Sequence, residues 1–439
     1  MNLLLRNATY IDWKTLDFSV KNIIVRPGDD TIQLTGRDDD GIVYPDTEVI
    51  DCAGKLVTKS FAVGHHHAYS ALARGMGAPR KIPRNFHEIL QYVWWTLDKQ
   101  LDAELIELSA LVTAMECARN GSTFVIDHHA SPFAVKGSLE IIARAFEKVG
   151  VSHLLCYEIS DRDEKVIAGE GLEETETWLK DHQGLVGLHA SFTVGDETLM
   201  RAVELMQKTR SGIHIHVAED NYDQEHCVSE HGKRVVARLS EAGVLSSSKS
   251  ILVHCLHLDE MERELIRNSP AWVAENCESN LNNKVGYFNG AGLGENIMLG
   301  TDGMHSDMLQ SLKAAFFAGQ DNDNISYDSA YRRFRNVHRY LNENGFRGDG
   351  DNNLVILNYN SPTPVTKENF IAHLLFGISS RHITDVISGG RLIVRKRKII
   401  TVDEREILKE SRKQAERLWK KNQSSLIVWR KAPKKINPP

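Results

Sequence analysis

Residues 184–220 read GLVGLHASFTVGDETLMRAVELMQKTRSGIHIHVAED. Two short apolar runs, GLVGLHA and GIHIHV, flank a longer segment, DETLMRAVELMQKTR, whose apolar residues recur with the period of a helix. A buried strand, an amphipathic helix and a second buried strand in that order make a parallel βαβ unit, because parallel neighbours need a long crossover between them.

The same alternation runs outward in both directions. Upstream lie FAVGHHH, DAELIELSALVTAMECARNG, TFVIDHH, GSLEIIARAFEKVG and SHLLCYEIS; downstream lie GKRVVARLSEAG, SILVHCLH, DEMERELIRN, AWVAENC and IMLGTDG. About eight strand-then-helix repeats over residues 58–350 predict a closed (β/α)8 barrel of the TIM type. Residues 1–57 differ, with short β-type runs (LLLRNATYI, NIIVRP, TIQLTG, TEVIDC) broken by Gly, Asp and Pro. Residues 351–403 return to that character and turn at Gly389 and Gly390. The expected class is therefore α/β, a barrel beside a small β-sandwich built from both chain ends. Residues 404–439 read as a basic amphipathic helix, packed by Ile407, Leu408, Ala415 and Leu418, followed by a tail that ends in proline.

Composition narrows the function. The 439 residues are 41% hydrophobic and 26% charged, values of an ordinary globular chain. A net charge of −6 offers no basic footprint for nucleic acid, and no window is long and apolar enough for a membrane span. The amino terminus lacks the pattern of a signal peptide, so the expected location is cytoplasmic. Six cysteines lie far apart without a C-x-x-C, which excludes a zinc ribbon and a thioredoxin-type motif. The signal is in the 19 histidines, which cluster in a few short stretches.

In a parallel barrel the chemistry sits where strands end. Here the endings are His65-His66-His67, Asp127-His128-His129, His189, His214 with His216, His254, and Asp302. Strand side chains alternate between faces, so His65 and His67 share a face and His66 turns away. His214 and His216 form a second H-x-H, in which one or both can ligate. Glu219, three residues past His216, is within reach of whatever His216 binds and suits a general acid/base role. Histidines with one aspartate from separate strands match what Zn²⁺ or Fe²⁺ takes, with a position left open for water.

At these residues the chain resembles the amidohydrolase superfamily, in its branch of cytosine-, guanine- and adenosine-type deaminases and triazine chlorohydrolases. TFVIDHHASP, IHIHVAEDNYD, SNLNNKVGY, LGTDGMHSDM and NYNSPTP are similar to the aminohydrolase group called SsnA. The resemblance implies His65, His67, His216 and Asp302 as metal ligands, with His214 beside them as a structural residue. It implies Glu219 as the proton shuttle, His254 as the residue that orients the activated water, and His189 as a substrate contact. His128, His129, Arg74, Trp94 and Trp95 are candidates to line the pocket. Binuclear relatives carry a lysine on the fourth strand; none occurs in HLLCYEIS or GLVGLHA, so one metal ion per chain is expected, zinc first and iron second.

Two features depart from the family pattern. Lys59 and Ser60 stand where relatives enter the first strand through Pro-Gly, and RYLNENGFRGDGDNNLVILNYN is shortened. A one-residue shift in TKSFAVG would present His66 in place of its neighbours. With the set intact, the implied activity is hydrolytic deamination of a purine- or pyrimidine-like heterocycle by water that a metal ion activates. The same site suits a cyclic amide or a chloro-heterocycle, and a reading of another class is a catalytically silent barrel kept as a metal-binding or assembly partner. The expected partner is a small heterocyclic substrate, with neither nucleic acid nor membrane, and the resemblance is compatible with a homodimer.

Overall fold

The computed structural model describes residues 1–36, 46–79 and 81–429, with backbone alone from 423 onward. The expected tail after the last helix lies outside the described residues.

Eight parallel strands form one sheet in chain order: β1 (Phe61–His66), β2 (Ser122–His129), β3 (Ser152–Ile159), β4 (Val186–Ala190), β5 (Ile213–Val217), β6 (Ile251–His254), β7 (Trp272–Glu275) and β8 (Ile297–Leu299). A parallel bridge between His66 and Asp302, with the Thr301 amide donating to the His65 carbonyl at 3.0 Å, joins the last strand back to the first. Helices follow most strands, so each strand is buried on both faces and reads as a nearly continuous apolar run.

Alternate residues divide between two cores. Phe124 and Ile126 of β2, Leu154 and Cys156 of β3, Ile251 and Val253 of β6, Trp272 and Ala274 of β7 and Met298 of β8 pack together as the barrel interior. Their neighbours Val125, Leu155, Leu252, Val273 and Leu299 pack against the surrounding helices. One end of the interior is closed by Val337, Tyr340 and Leu341 of the helix Tyr327–Glu343.

Both chain ends contribute to a second, nine-stranded sheet. Leu56–Lys59 is its seam, running parallel to Asn2–Ile11 and antiparallel to Leu354–Leu357, with Lys59 opposite Leu354. The helix Glu404–Trp429 packs on the barrel through the four predicted residues, and the Trp419 indole donates to the Leu72 carbonyl at 2.8 Å.

The two departures from the family pattern meet in space. Lys59 is 2% exposed; its ammonium lies 3.2 Å from an Asp349 carboxylate oxygen and donates to the Asp349 and Gly350 carbonyls. His338 donates to the other Asp349 oxygen at 2.8 Å. The shortened segment thus supplies the counter-charge for the lysine that replaces the usual turn. Because removing one partner of a buried pair strands the other, Lys59→Met is expected to lower stability by about 3 kcal/mol. An unchanged denaturant midpoint would contradict that.

Candidate functional site

The strand ends converge at one mouth of the barrel, but regular alternation alone does not bring them there. In β1, Phe61 and Val63 face the helices while Ala62 faces the interior, a phase that would aim His66 inward. Between Val63 and His66 the strand carries one residue more than β2 does across from it, from Val125 to Asp127. Such a bulge resets the phase, and Gly64 permits it, since a Cβ there would lie 2.6 Å from the Leu299 carbonyl oxygen. His65 and His67 consequently face the site, whereas His66 turns to Ser306 (3.1 Å) and Asp127.

Three further strand ends turn through the left-handed region: Ala218 (φ 47°), His254 (φ 69°) and Asp302 (φ 52°). Non-glycine residues hold this conformation at a cost and concentrate where function demands it. For His254 the reason is visible. Ile251 and Val253 face the interior, so an ordinary φ would send His254 into the helices; the turn brings it into the site instead.

The ligand-capable atoms of His65, His67 and His216 lie within 4.8 Å of one another, as do those of His65, His254 and Asp302. His67 Nε2 is 3.2 Å from His216 Nε2 and 3.4 Å from an Asp302 oxygen. The far nitrogens are fixed. His67 Nδ1 donates to the His128 carbonyl at 2.7 Å, and His216 Nδ1 donates to the His189 carbonyl at 2.8 Å. Each Nε2 is thereby left as a lone pair aimed at the cluster, the arrangement in which backbone acceptors hold metal-ligating histidines. His65 Nε2 is buried without a partner, a donor atom that a cation at this place would satisfy. Burial, followed by the neighbouring rings, holds His65 and His216 well below their ordinary pKa, so both are neutral, the form that ligates. The residues therefore fit a divalent metal.

Glu219 and His254 stand beside this cluster. His254 Nδ1 donates to Asn280 Oδ1 at 2.8 Å, while its Nε2 lies 3.4 Å from Glu219 and 3.6 Å from Asp302. Asn283 donates to the other Glu219 oxygen at 3.4 Å. Burial, then the Asp302 carboxylate, pushes Glu219 well above the usual carboxylate range. Burial also acts to raise Asp302, but His67 and His254 outweigh it and hold Asp302 below its ordinary value. Two carboxylates in one site are thus pushed in opposite directions, the separation acid–base chemistry needs.

The pocket over the cluster is walled by Tyr69, Phe86, Leu90, Trp94, Trp95 and Met304. His189 lines it, its Nδ1 donating to Thr193 Oγ1 at 2.6 Å. Trp94 and Trp95 line it as expected. Arg74 does not: it is half exposed and pairs with Glu116. His128 and His129 are buried outside the pocket wall, His129 bound to Ser131 and His128 set between the Leu188 and His214 carbonyls and Glu158.

Several pocket residues escaped the sequence reading, two charged ones among them. Glu158 closes β3 and Arg162 follows it, their side chains 3.5 Å apart, and Arg162 also pairs with Asp98 and lies over the Trp95 ring. The rule that picked out the histidines, a polar residue at the carboxyl end of a strand, applies equally to the glutamate in CYEIS. Ser279, Asn280 and Asn283 were likewise legible in CESNLNN, a helix too polar to be there for packing alone.

The Amidohydrolase family model matches residues 62–333. A 5-methylthioadenosine/S-adenosylhomocysteine deaminase of Thermoanaerobacter pseudethanolicus is 25% identical, over 95% of this chain and 99% of its own. A 5'-deoxyadenosine deaminase of Methanopyrus kandleri is 27% identical, over 81% of this chain and 84% of its own. Among solved structures, a zinc-bound adenosine deaminase from Xanthomonas campestris superposes with a TM-score of 0.81 at 18% identity, covering 95% of this chain and 98% of its own.

Proposed function

The chain belongs to the amidohydrolase family, and from that premise we propose that it removes an amino group from a nitrogen heterocycle by hydrolysis, releasing ammonia. It is a hydrolase of carbon–nitrogen bonds other than peptide bonds. The observation that carries the deaminase reading is the pairing of a three-histidine, one-aspartate cluster with Glu219, 3.4 Å from His254, in the wall of an aromatic pocket.

In this reading His65, His67, His216 and Asp302 hold one divalent metal, which when bound supplies Lewis acidity and lowers the pKa of coordinated water. The remaining chemistry falls to side chains. Glu219, which lines the pocket, donates a proton to a ring nitrogen of the substrate, takes one back from the hydroxyl that the attack adds to the ring carbon, and passes it to the departing amine; the proton collected by Asp302 then restores the acid. His254, fixed through Nδ1 by Asn280, presents Nε2 between Glu219 and Asp302 and orients the attacking water. Asp302, across His254 Nε2 from Glu219, accepts the proton that this water gives up. His189 and the two tryptophans position the ring. We take the metal to be zinc, in keeping with the ligand set and with the zinc of the Xanthomonas campestris neighbour.

The six free, buried cysteines support a reducing compartment, the cytoplasm. Among the described residues no helix is long and apolar enough to cross a membrane. The partner we propose is a small heterocycle, with the protein working as a homodimer and binding neither nucleic acid nor membrane.

The test is ammonia release by zinc-reconstituted protein across amino-purines, amino-pyrimidines, pterins and hydantoin-like rings. Stoichiometric ammonia and the corresponding oxo-ring are expected from at least one amino-heterocycle. Chloride release or ring opening without ammonia would contradict deamination.

A further inference from the structure

We propose that His214 and Cys156 are positioning residues that hold His65 in the one tautomer able to ligate a metal ion; the inference rests on the metal reading above. His214 comes from the interior-facing register of β5, one pleat below His216, and its ring lies deep in the barrel at 0% exposure. Its Nε2 stands 2.9 Å from His65 Nδ1, and its Nδ1 stands 3.5 Å from the Cys156 sulfur. Cys156, also at 0% exposure, has its sulfur 3.6 Å from the Asp127 carbonyl.

These contacts admit one self-consistent direction once His65 ligates. A lone pair on His65 Nε2 requires the hydrogen on Nδ1, and that hydrogen needs an acceptor, which among the described residues His214 Nε2 supplies. His214 must then carry its own hydrogen on Nδ1, where the polarisable thiol sulfur receives it, and the Cys156 S–H points on to the Asp127 carbonyl. The chain ends on a backbone acceptor, as those of His67 and His216 do, but reaches it through two side chains. The reverse direction would place a hydrogen on His65 Nε2, against the cluster, and leave the Asp127 carbonyl without the thiol. His214 is therefore not a fourth histidine ligand: the nitrogen nearest the cluster is committed to His65.

Outer partners of ligating histidines are worth about 10- to 100-fold in metal affinity. His214→Phe keeps the ring volume and removes the acceptor, so zinc affinity, measured by competition with a chromophoric chelator, should fall by about that factor, with an altered visible spectrum of the cobalt(II)-loaded protein. His214→Gln, which offers an amide oxygen in the acceptor's place, should recover most of the affinity. Wild-type affinity and an unchanged cobalt spectrum in His214→Phe would overturn the inference while leaving the proposed function intact. Wild-type protein that takes up no zinc would overturn both. Should the phenylalanine variant fail to fold, long-range proton–nitrogen spectra of zinc-loaded wild-type protein labelled at histidine decide the matter. His214 should show a protonated Nδ1 and a bare Nε2; the opposite tautomer overturns the inference.

Discussion

Glu219→Gln should lower kcat by about 10²- to 10⁴-fold, the share of rate that a positioned acid–base group supplies, while the protein keeps its metal. The substitution preserves shape and the hydrogen bond from Asn283, yet removes the acid whose protonated form burial and Asp302 favour. A pH profile separates this role from a passive one. Glu219 is raised above the ordinary carboxylate range, so its proton is present below that raised pKa and is lost as pH rises through it. Wild-type turnover should accordingly fall on the alkaline side of that value, and the residual rate of the variant should lack this limb. Full activity in Glu219→Gln, or loss of metal along with activity, would remove Glu219 from the proposed role.

The adjacent pair His66 and His67 gives the second large effect. His67→Ala takes away an imidazole whose Nε2 faces His216 and Asp302, and zinc affinity should drop by more than the roughly 100-fold that marks the upper range for an outer partner. Turnover should vanish with it. His66→Ala, one residue earlier, loses contacts to Ser306 and Asp127 and leaves a buried cavity, a matter of roughly 2 to 4 kcal/mol in stability but not of a ligand. It should bind zinc normally. If the two phenotypes were exchanged, the bulge in β1 would be placed wrongly and the ligand set with it.

That bulge also marks how far the sequence carries. The barrel was legible because buried strands and amphipathic helices leave different periods, and the grouping of His65 with His67 followed from two-residue alternation. Which phase the alternation takes was not legible, because it depends on one extra residue accommodated at Gly64 against β8, a contact between the first and last strands. His254 illustrates the same limit: its inward position rests on a left-handed turn that no pattern in ILVHCLH announces. The junction before β1 looked like a defect as a sequence. In three dimensions Lys59 finds Asp349 across almost the whole barrel's length of chain, and the first strand keeps its place. Glu158, by contrast, is legible from CYEIS by the same strand-end rule that marks the histidines, whereas the place of Arg162 in the pocket depends on its pairing with Asp98, far away in sequence.

In the proposed reaction one metal ion, held by His65, His67, His216 and Asp302, makes this barrel a hydrolase. Titrating metal-stripped protein with zinc while following ammonia release from an amino-heterocycle tests it most directly. Activity should be absent at the start, rise linearly and level off at about one equivalent per chain, the behaviour of a single metal that activates water. Turnover by the metal-free protein, or a rise that continues to a second equivalent, would contradict it.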